Sequence, residues 1–270
     1  MTAYPSLPKS FKKKYPFTLG TTSFIYPDHY LPNVRMLAPF LDEIEVLMFE
    51  SRWPDSLPSE QMIAELGQAA EDLGITYNIH LPADVSLSDP DPSMRKHAAE
   101  TLRMFIRRCR PLSPSAFALH LPCEIPLQDK KDIQQWRKRT ADGLALLLDA
   151  VADSRVLAVE TLMYPFDIAD PLIREFDLSV CMDTGHLMLC GFDVKNLWKT
   201  YAERIPLMHL HGVRKGKDHL SLDCLSSAQA DTIREILKNF KGVVSLEVFS
   251  YKHLLPCLEF LERILPEKNA

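Results

Sequence analysis

The sequence predicts a single (β/α)8 barrel, an α/β fold in which eight parallel strands alternate with helices. Three observations lead to this prediction. Eight short apolar runs alternate with amphipathic helical runs, the connections between them are short, and the chain has 270 residues. Such units can close into a barrel or form a doubly wound sheet. The length favours the barrel, which typically takes about 250 residues as one domain.

The predicted strands are apolar runs without strict alternation, as expected of parallel strands that are covered on both faces. They span residues 17–22, 44–49, 75–80, 115–120, 155–160, 178–183, 206–211 and 243–248. Helical periodicity marks residues 59–73, 93–109, 132–151 and 231–240. No linker or second domain is visible, so we expect one domain over residues 1–270. Residues 1–16 are expected to form an N-terminal tail, basic over 11–15.

Composition narrows the class of protein. The net charge of -5 and pI of about 6.0 argue against a protein that binds duplex DNA, and no nucleic-acid partner is expected. The six cysteines lack CxxC spacing, which favours reduced thiols in a cytoplasmic protein. Neither a signal peptide nor a membrane-spanning run is recognised, so no membrane partner is expected. The glycine motifs of dinucleotide-binding, NTPase and serine-hydrolase sites are missing as well.

Polar residues close the later predicted strands, and in a barrel these strand ends converge on the face that carries active sites. A single residue of this kind is more often capped or solvated than a metal ligand. A carboxylate ending an apolar strand is nevertheless costly unless it is paired or bound to a metal, and imidazole with carboxylate suits Zn, Mn or Fe. The set predicts a divalent-metal site; it comprises His80, His120, Glu160, Asp183, His186, His209, His211 and Glu247.

Two further groups of residues are candidates for substrate binding. Three cations follow the seventh predicted strand and suggest a clamp for an anion such as phosphate, although a solvated loop explains them equally well; they are Arg214, Lys215 and Lys217. Aromatic side chains near the expected barrel mouth could flank a large flat ligand or simply pack; they are Phe24, Tyr26, Trp53 and Tyr164.

These residues resemble the pattern of the xylose isomerase-like barrel superfamily, and within it the group related to endonuclease IV. The resemblance runs from residue 17 to residue 265. The pattern has His at the ends of strands three and four, Glu on five, Asp-Thr-x-His on six, His on seven and Glu on eight. The matching positions here are His80, His120, Glu160, Asp183 with His186, His209 and Glu247.

The resemblance implies a central metal tetrad, formed by Glu160, Asp183, His209 and Glu247. It also implies a second metal on His80 and His120, with Glu160 bridging the two. A third metal in the endonuclease IV group uses the strand-six His and an Asp-x-His motif. Here Asp218 and His219 are adjacent, so this chain departs from that motif, and His186 and His219 are left as its candidate ligands.

A closer likeness connects three short strings to cobamide-remodelling phosphodiesterases, which cleave the nucleotide-loop phosphodiester of a corrinoid. The strings occupy residues 20–27, 77–82 and 209–213. The function this implies is hydrolysis of a small-molecule or corrinoid phosphodiester, with two or three zinc ions, or manganese or iron instead. Catalysis is assigned to Glu160, Glu247 and His186, and substrate binding to the three cations and Tyr164.

Two rival interpretations use the same residues. A sugar isomerase or epimerase would need only the tetrad, with Glu160 and Glu247 also serving as the acid/base pair that moves a proton. A non-catalytic metal- or corrinoid-binding module is the other. The additional pair His80 and His120 favours the hydrolase, because a single ion on the tetrad does not need them. The number of metal ions per chain discriminates among the three.

Overall fold

The computed structural model describes residues 4–53 and 55–265, and its central feature is a closed barrel of eight parallel strands. The described residues form ten strands: β1 (Thr18–Thr22), β2 (Glu43–Leu47), β3 (Thr76–His80), β4 (Phe117–Leu119), β5 (Leu157–Glu160), β6 (Ser179–Asp183), β7 (Leu207–Leu210), β8 (Gly212–Arg214), β9 (Lys217–Leu220) and β10 (Val243–Leu246). The barrel order is β1-β10-β7-β6-β5-β4-β3-β2. All eight predicted barrel strands are confirmed, with the observed strands one to three residues shorter.

Nine helices are formed by the described residues: α1 (Tyr30–Leu37), α2 (Glu60–Leu73), α3 (Pro92–Cys109), α4 (Lys130–Leu147), α5 (Asp170–Glu175), α6 (Thr184–Leu189), α7 (Val194–Tyr201), α8 (Ser227–Leu237) and α9 (Tyr251–Ile264). Helix α2 shows why its prediction held. Its N-cap Ser59 accepts a hydrogen bond from the Met62 amide, and Gly74 ends it in the left-handed conformation. No helix in the described part of the chain is both long and apolar enough to cross a membrane.

Two predicted helix boundaries are wrong by four residues each. Helix α8 begins at Ser227 rather than at residue 231, because Ser226 and Gln229 form a reciprocal capping box that starts the helix earlier. Helix α4 ends at Leu147 rather than at residue 151, and residues 148–150 continue as a 3-10 turn. Neither difference moves a strand end at the barrel mouth.

The segment expected to form a basic tail over residues 11–15 packs against the barrel. Phe11 is 1% exposed, and its amide donates to the Phe40 carbonyl just before β2. The Lys12 ammonium donates to the carbonyls of Leu73 and Gly74 at the end of α2. These partners precede β2 and β3, so the segment lies against the amino-terminal end of the barrel, opposite the predicted site.

The inside of the barrel contains two carboxylates on β2, Glu43 and Glu45, both fully buried. Side chains two apart on a strand share a face, which places both inward. Glu43 lies deeper, where it accepts hydrogen bonds from Asn78, Ser115 and Thr76. Glu45 lies one step nearer the mouth and accepts a hydrogen bond from Ser245. The prediction described this strand as an apolar run and missed both groups.

A small antiparallel hairpin, β8–β9, follows β7 and was not predicted. Only Lys215 and Gly216 connect its strands, and both have positive φ, of 53° and 74°. Two consecutive positive φ values are the signature of a type I′ turn, which matches the twist of a two-residue hairpin. The hairpin projects the predicted cationic segment from the barrel mouth.

Candidate metal centre

The carboxyl-terminal ends of six barrel strands bring the predicted ligands together. His80, Glu160 and Asp183 are the last residues of β3, β5 and β6. His120 and Glu247 come one residue after β4 and β10, and His209 lies within β7. Parallel pairing sets Asp183 beside His209 across β6 and β7. The fold therefore confirms that the predicted strand-end side chains share one end of the barrel.

The four predicted tetrad residues form the central cluster. The His209 Nδ1 atom lies 3.2 Å from Glu247 Oε2, 3.4 Å from Glu160 Oε2 and 3.9 Å from Asp183 Oδ2. One ligand atom from each residue falls within 4.8 Å of the others. All four side chains are buried. Three carboxylates and one imidazole at this spacing form a donor set suited to one divalent cation.

A second cluster combines Glu160 with His80 and His120. The His80 Nδ1 atom lies 2.9 Å from the Leu81 carbonyl oxygen, which can only accept a hydrogen bond, so Nδ1 carries the proton. The lone pair of His80 Nε2 is then left 3.3 Å from Glu160 Oε2, and His120 Nε2 lies 3.1 Å from that oxygen. Glu160 Oε2 thus faces both clusters, which is the geometry a bridging carboxylate needs.

Buried polar atoms without a hydrogen-bond partner show that these residues fit a cation. They include Glu160 Oε1, Glu247 Oε2 and both ring nitrogens of His209. Buried polar groups are nearly always satisfied in proteins, and a bound cation is one accepted reason for an exception. These four atoms belong to the predicted ligands, so the donor set and its burial both match a metal centre.

The pKa values at the centre follow from burial and mutual attraction of opposite charges. Burial opposes the charged form of His80, yet its contact with Glu160 raises its pKa above 6.5. Burial also opposes the charged form of Glu160, but His120 and His209 lower its pKa well below 4.5. The pKa of Glu247 is lowered in the same way by His209 and His219. The acidic groups are therefore held as carboxylates, the form that binds a metal.

A third cluster gathers the imidazoles of His186, His211 and His219. The His219 amide donates to His211 Nδ1 at 3.0 Å, so that lone pair is occupied and the ring proton is on Nε2. A longer approach of 3.4 Å between Nδ1 and the Gly212 carbonyl is too weak to reverse this assignment. Nε2 lies 3.2 Å from both Asp183 oxygens. We assign His211 to orienting Asp183, which leaves His186 and His219 for an ion.

Local features of the sequence hold this third cluster in place. A Cβ atom on Gly185 would lie 2.0 Å from the His211 ring, so only glycine leaves room for that imidazole. Asp218 Oδ1 lies 3.1 Å from His219 Nδ1 and orients that ring. Burial opposes protonation, but contacts with Glu247 raise the pKa of His219 to about 9. Asp183, followed by Glu160, raises the pKa of His186 to about 10 in the same way.

Glu45 is the functional neighbour that the prediction missed. Its Oε1 atom lies 3.1 Å from His209 Nε2, on the opposite side of the ring from the tetrad contacts. The alignment is too oblique for a hydrogen bond, so the contact is one of charge. Carboxylates behind ligand histidines fix the ring orientation and raise ligand basicity. The alternation of Glu43 and Glu45 in the printed sequence was the available signal.

The predicted substrate-binding residues divide into two groups. Arg214, Lys215 and Lys217 lie exposed on the hairpin, and their side chains make no ion pair with any residue in the described ranges. Tyr164 is buried, its hydroxyl donates to the Leu121 carbonyl, and its ring packs on Trp136. It has no surface to offer a substrate, so its predicted role is wrong, because the loop after β5 folds back onto the barrel.

Comparison with known proteins assigns the family. The xylose isomerase-like TIM barrel family matches residues 41–267. Among solved structures, a D-tagatose 3-epimerase-like protein superposes with a TM-score of 0.77 at 16% identity, covering 92% of this chain and 97% of its own. The IOLI protein with a bound zinc atom gives 0.73 at 15% identity, with 92% and 98% covered.

Endonuclease IV from Thermus thermophilus gives a TM-score of 0.67 at 17% identity, covering 91% of this chain and 99% of its own. At these identities the structural likeness concerns the fold. The family match covers most of the sequence, and it agrees with the strand-end pattern of histidines and carboxylates. The chain therefore belongs to the xylose isomerase-like TIM barrel family.

Proposed function

We propose that the protein is a divalent-metal-dependent phosphodiesterase. The observation that carries this proposal is the second cluster, in which His80 and His120 face the same oxygen of Glu160 as the tetrad histidine. A site for one ion is complete without these two histidines. A pair of adjacent divalent ions stabilises both the attacking and the leaving oxygen of an in-line displacement at phosphorus.

The residues of the chain supply positioning and charge for this reaction. Glu160 faces both clusters, and Glu247 connects the central cluster to His219 through a 3.5 Å contact. The hairpin carries the cations Arg214, Lys215 and Lys217, which are free to neutralise phosphoryl oxygens. In hydrolysis, water gives its oxygen to phosphorus and a proton to the departing oxygen. We propose that His186, at the edge of the centre, assists that proton transfer.

For the substrate, we propose a small-molecule phosphodiester, with the nucleotide loop of a cobamide as the specific candidate. The three strings that resemble cobamide-remodelling phosphodiesterases all lie at the mouth of the barrel: residues 20–27 begin in β1, 77–82 end β3 and 209–213 leave β7. The net charge of -5 disfavours a polyanionic nucleic acid. Zinc is the first metal to test, since the IOLI relative was solved with zinc; manganese and iron follow.

An epimerase is the rival with a specific observation in its favour. Several structural relatives are sugar epimerases, among them a 3-keto-D-glucoside 4-epimerase from E. coli and a D-psicose 3-epimerase from Clostridium cellulolyticum. That reaction would use the tetrad, with Glu160 and Glu247 moving the proton. It does not require His80 and His120.

One experiment separates the two functions. Metal-loaded protein is incubated with an adenosylated cobamide and, separately, with ketoses, and the products are identified by chromatography and mass. We expect release of a nucleoside or nucleotide containing the lower base, abolished by His120→Ala but unaffected by His97→Ala on the outer surface of α3. Interconversion of a ketose that persists in His120→Ala, with intact cobamide, would establish the epimerase. Neither reaction under any metal would indicate the non-catalytic module.

A further inference from the structure

An aromatic cavity of about 560 Å³ opens at the barrel mouth beside the metal centre. Its walls come from the loops that follow β1 and β2, and from the start of α1. Leu47, at its base, pairs in register with His80. Volumes of roughly 300–1,000 Å³ are typical of small-molecule sites. Its lining includes four aromatic and two acidic side chains, namely Phe24, Tyr30, Phe49, Trp53, Asp28 and Asp55.

Aromatic rings connect this cavity to the metal centre without interruption. The Phe49 ring lies 5.4 Å from that of Phe24 and 5.4 Å from that of Phe249. Phe249 in turn lies 4.9 Å from the imidazole of His219. A ligand that reaches from the metal centre into the cavity would pass the rings of Phe249 and Phe49.

The cavity combines a stacking surface with two carboxylates at its rim. Trp53 is 55% exposed, although large aromatic side chains usually bury most of their surface. Tyr30 is fixed by a hydrogen bond from its hydroxyl to the Ser56 carbonyl. Asp28 and Asp55 at the rim have no ion-pair partner among the described side chains. Carboxylates accept hydrogen bonds and repel anions, so the rim favours N–H groups and disfavours a second phosphate.

We propose that this cavity binds a planar aromatic heterocycle with N–H donors, attached covalently to the phosphodiester that reaches the metals. This inference rests on the proposed function and narrows its substrate class. The heterocycle stacks on Trp53 and Phe49, and its donors face Asp28 and Asp55. A sugar without an aromatic group gains nothing from these contacts, so the cavity separates a nucleotide-like substrate from a plain sugar phosphate.

Direct binding to the metal-loaded protein tests the cavity apart from catalysis. Adenosine and adenine are titrated by calorimetry, with cyclohexanol and inorganic phosphate as comparison ligands. We expect both heterocycles to bind and Trp53→Ala to weaken them about five- to hundred-fold, the range for losing one stacking platform. Asp55→Asn should weaken adenine several-fold. Met104→Ala is the matched control, since Met104 is similarly exposed but lies on α3.

The outcomes keep this inference distinct from the proposed function. Heterocycles that bind no better than cyclohexanol, or equally well to Trp53→Ala, overturn the cavity assignment even if phosphodiesters are cleaved. Binding that depends on Trp53, with no phosphodiester cleaved, supports the cavity and rejects the phosphodiesterase. With a cleavable substrate, Trp53→Ala should raise KM while the metal content stays the same, as expected for a side chain that contacts only the remote group.

Discussion

Replacing Glu45 with glutamine should weaken metal binding although Glu45 is not one of the predicted ligands. The side chain is fully buried, its Oε1 lies 3.1 Å from His209 Nε2, and Ser245 donates to its other oxygen. Glutamine keeps the volume and the bond from Ser245 but removes the charge behind the imidazole. Loss of such an outer partner typically lowers metal affinity about 10- to 100-fold. This corresponds to about 1.4–2.8 kcal/mol of binding free energy.

The assay is zinc affinity measured by competition with a chelator, supported by the ring-nitrogen shifts of His209 in NMR spectra. Glu43→Gln is the matched control, because Glu43 lies on the same strand, is equally buried, and contacts Thr76, Asn78 and Ser115 instead of a ligand. Thermal melts of both variants verify folding. Equal zinc affinities for the two variants, within about threefold, would refute the idea that Glu45 orients His209.

Three further tests concern Glu160 between the two metal clusters, Lys215 on the hairpin and Glu43 inside the barrel. Glu160→Gln should reduce metal content from two ions per chain to one or fewer by elemental analysis, because Glu160 Oε2 faces both clusters; retention of two ions would contradict the bridging assignment. Lys215→Asn should leave metal content unchanged and raise KM for an anionic substrate several-fold, since asparagine tolerates the positive φ of 53°; an unchanged KM would exclude Lys215 from the clamp. Burial raises the pKa of Glu43 above 4.5, so its stabilising contribution is complete below pH 4.5 and is lost as the pH rises through the raised value. The stability of Glu43→Gln relative to wild type, measured by urea unfolding, should therefore increase with pH across that window, and a flat difference would count against a buried, proton-binding Glu43.

The strand ends could be predicted because each is marked by a few neighbouring residues in the sequence. An apolar run such as the one before Glu160 marks a buried strand, and the polar residue that closes it marks the mouth of the barrel. Helix caps are equally local, as Ser59 and Gly74 show for α2. Parallel topology then brings ligands together that are far apart in the chain, and no contact between them has to be known beforehand.

What could not be predicted depends on packing between distant residues. The role of Glu45 depends on its contacts with His209 and with Ser245, which is 200 residues away in the sequence. Only the closed barrel brings these residues together. His211 was recognised as a strand-end histidine, but its role depends on which ring nitrogen the His219 amide occupies. The hairpin β8–β9 was not predicted because its strands are short and polar. Tyr164 follows β5 in the sequence and was therefore expected at the barrel mouth, but the loop that carries it folds inward and buries its side chain.

The buried position of Glu45 sets the charge balance of the whole centre. With Glu160, Asp183 and Glu247 it makes four carboxylates around the two principal clusters. When ionised, these four negative charges equal the positive charge of two divalent cations, leaving the histidines neutral. A single cation would leave two negative charges uncompensated in a buried site, where protons on the histidines would have to offset them. Binding of the second ion should displace these protons, so metal loading should release protons.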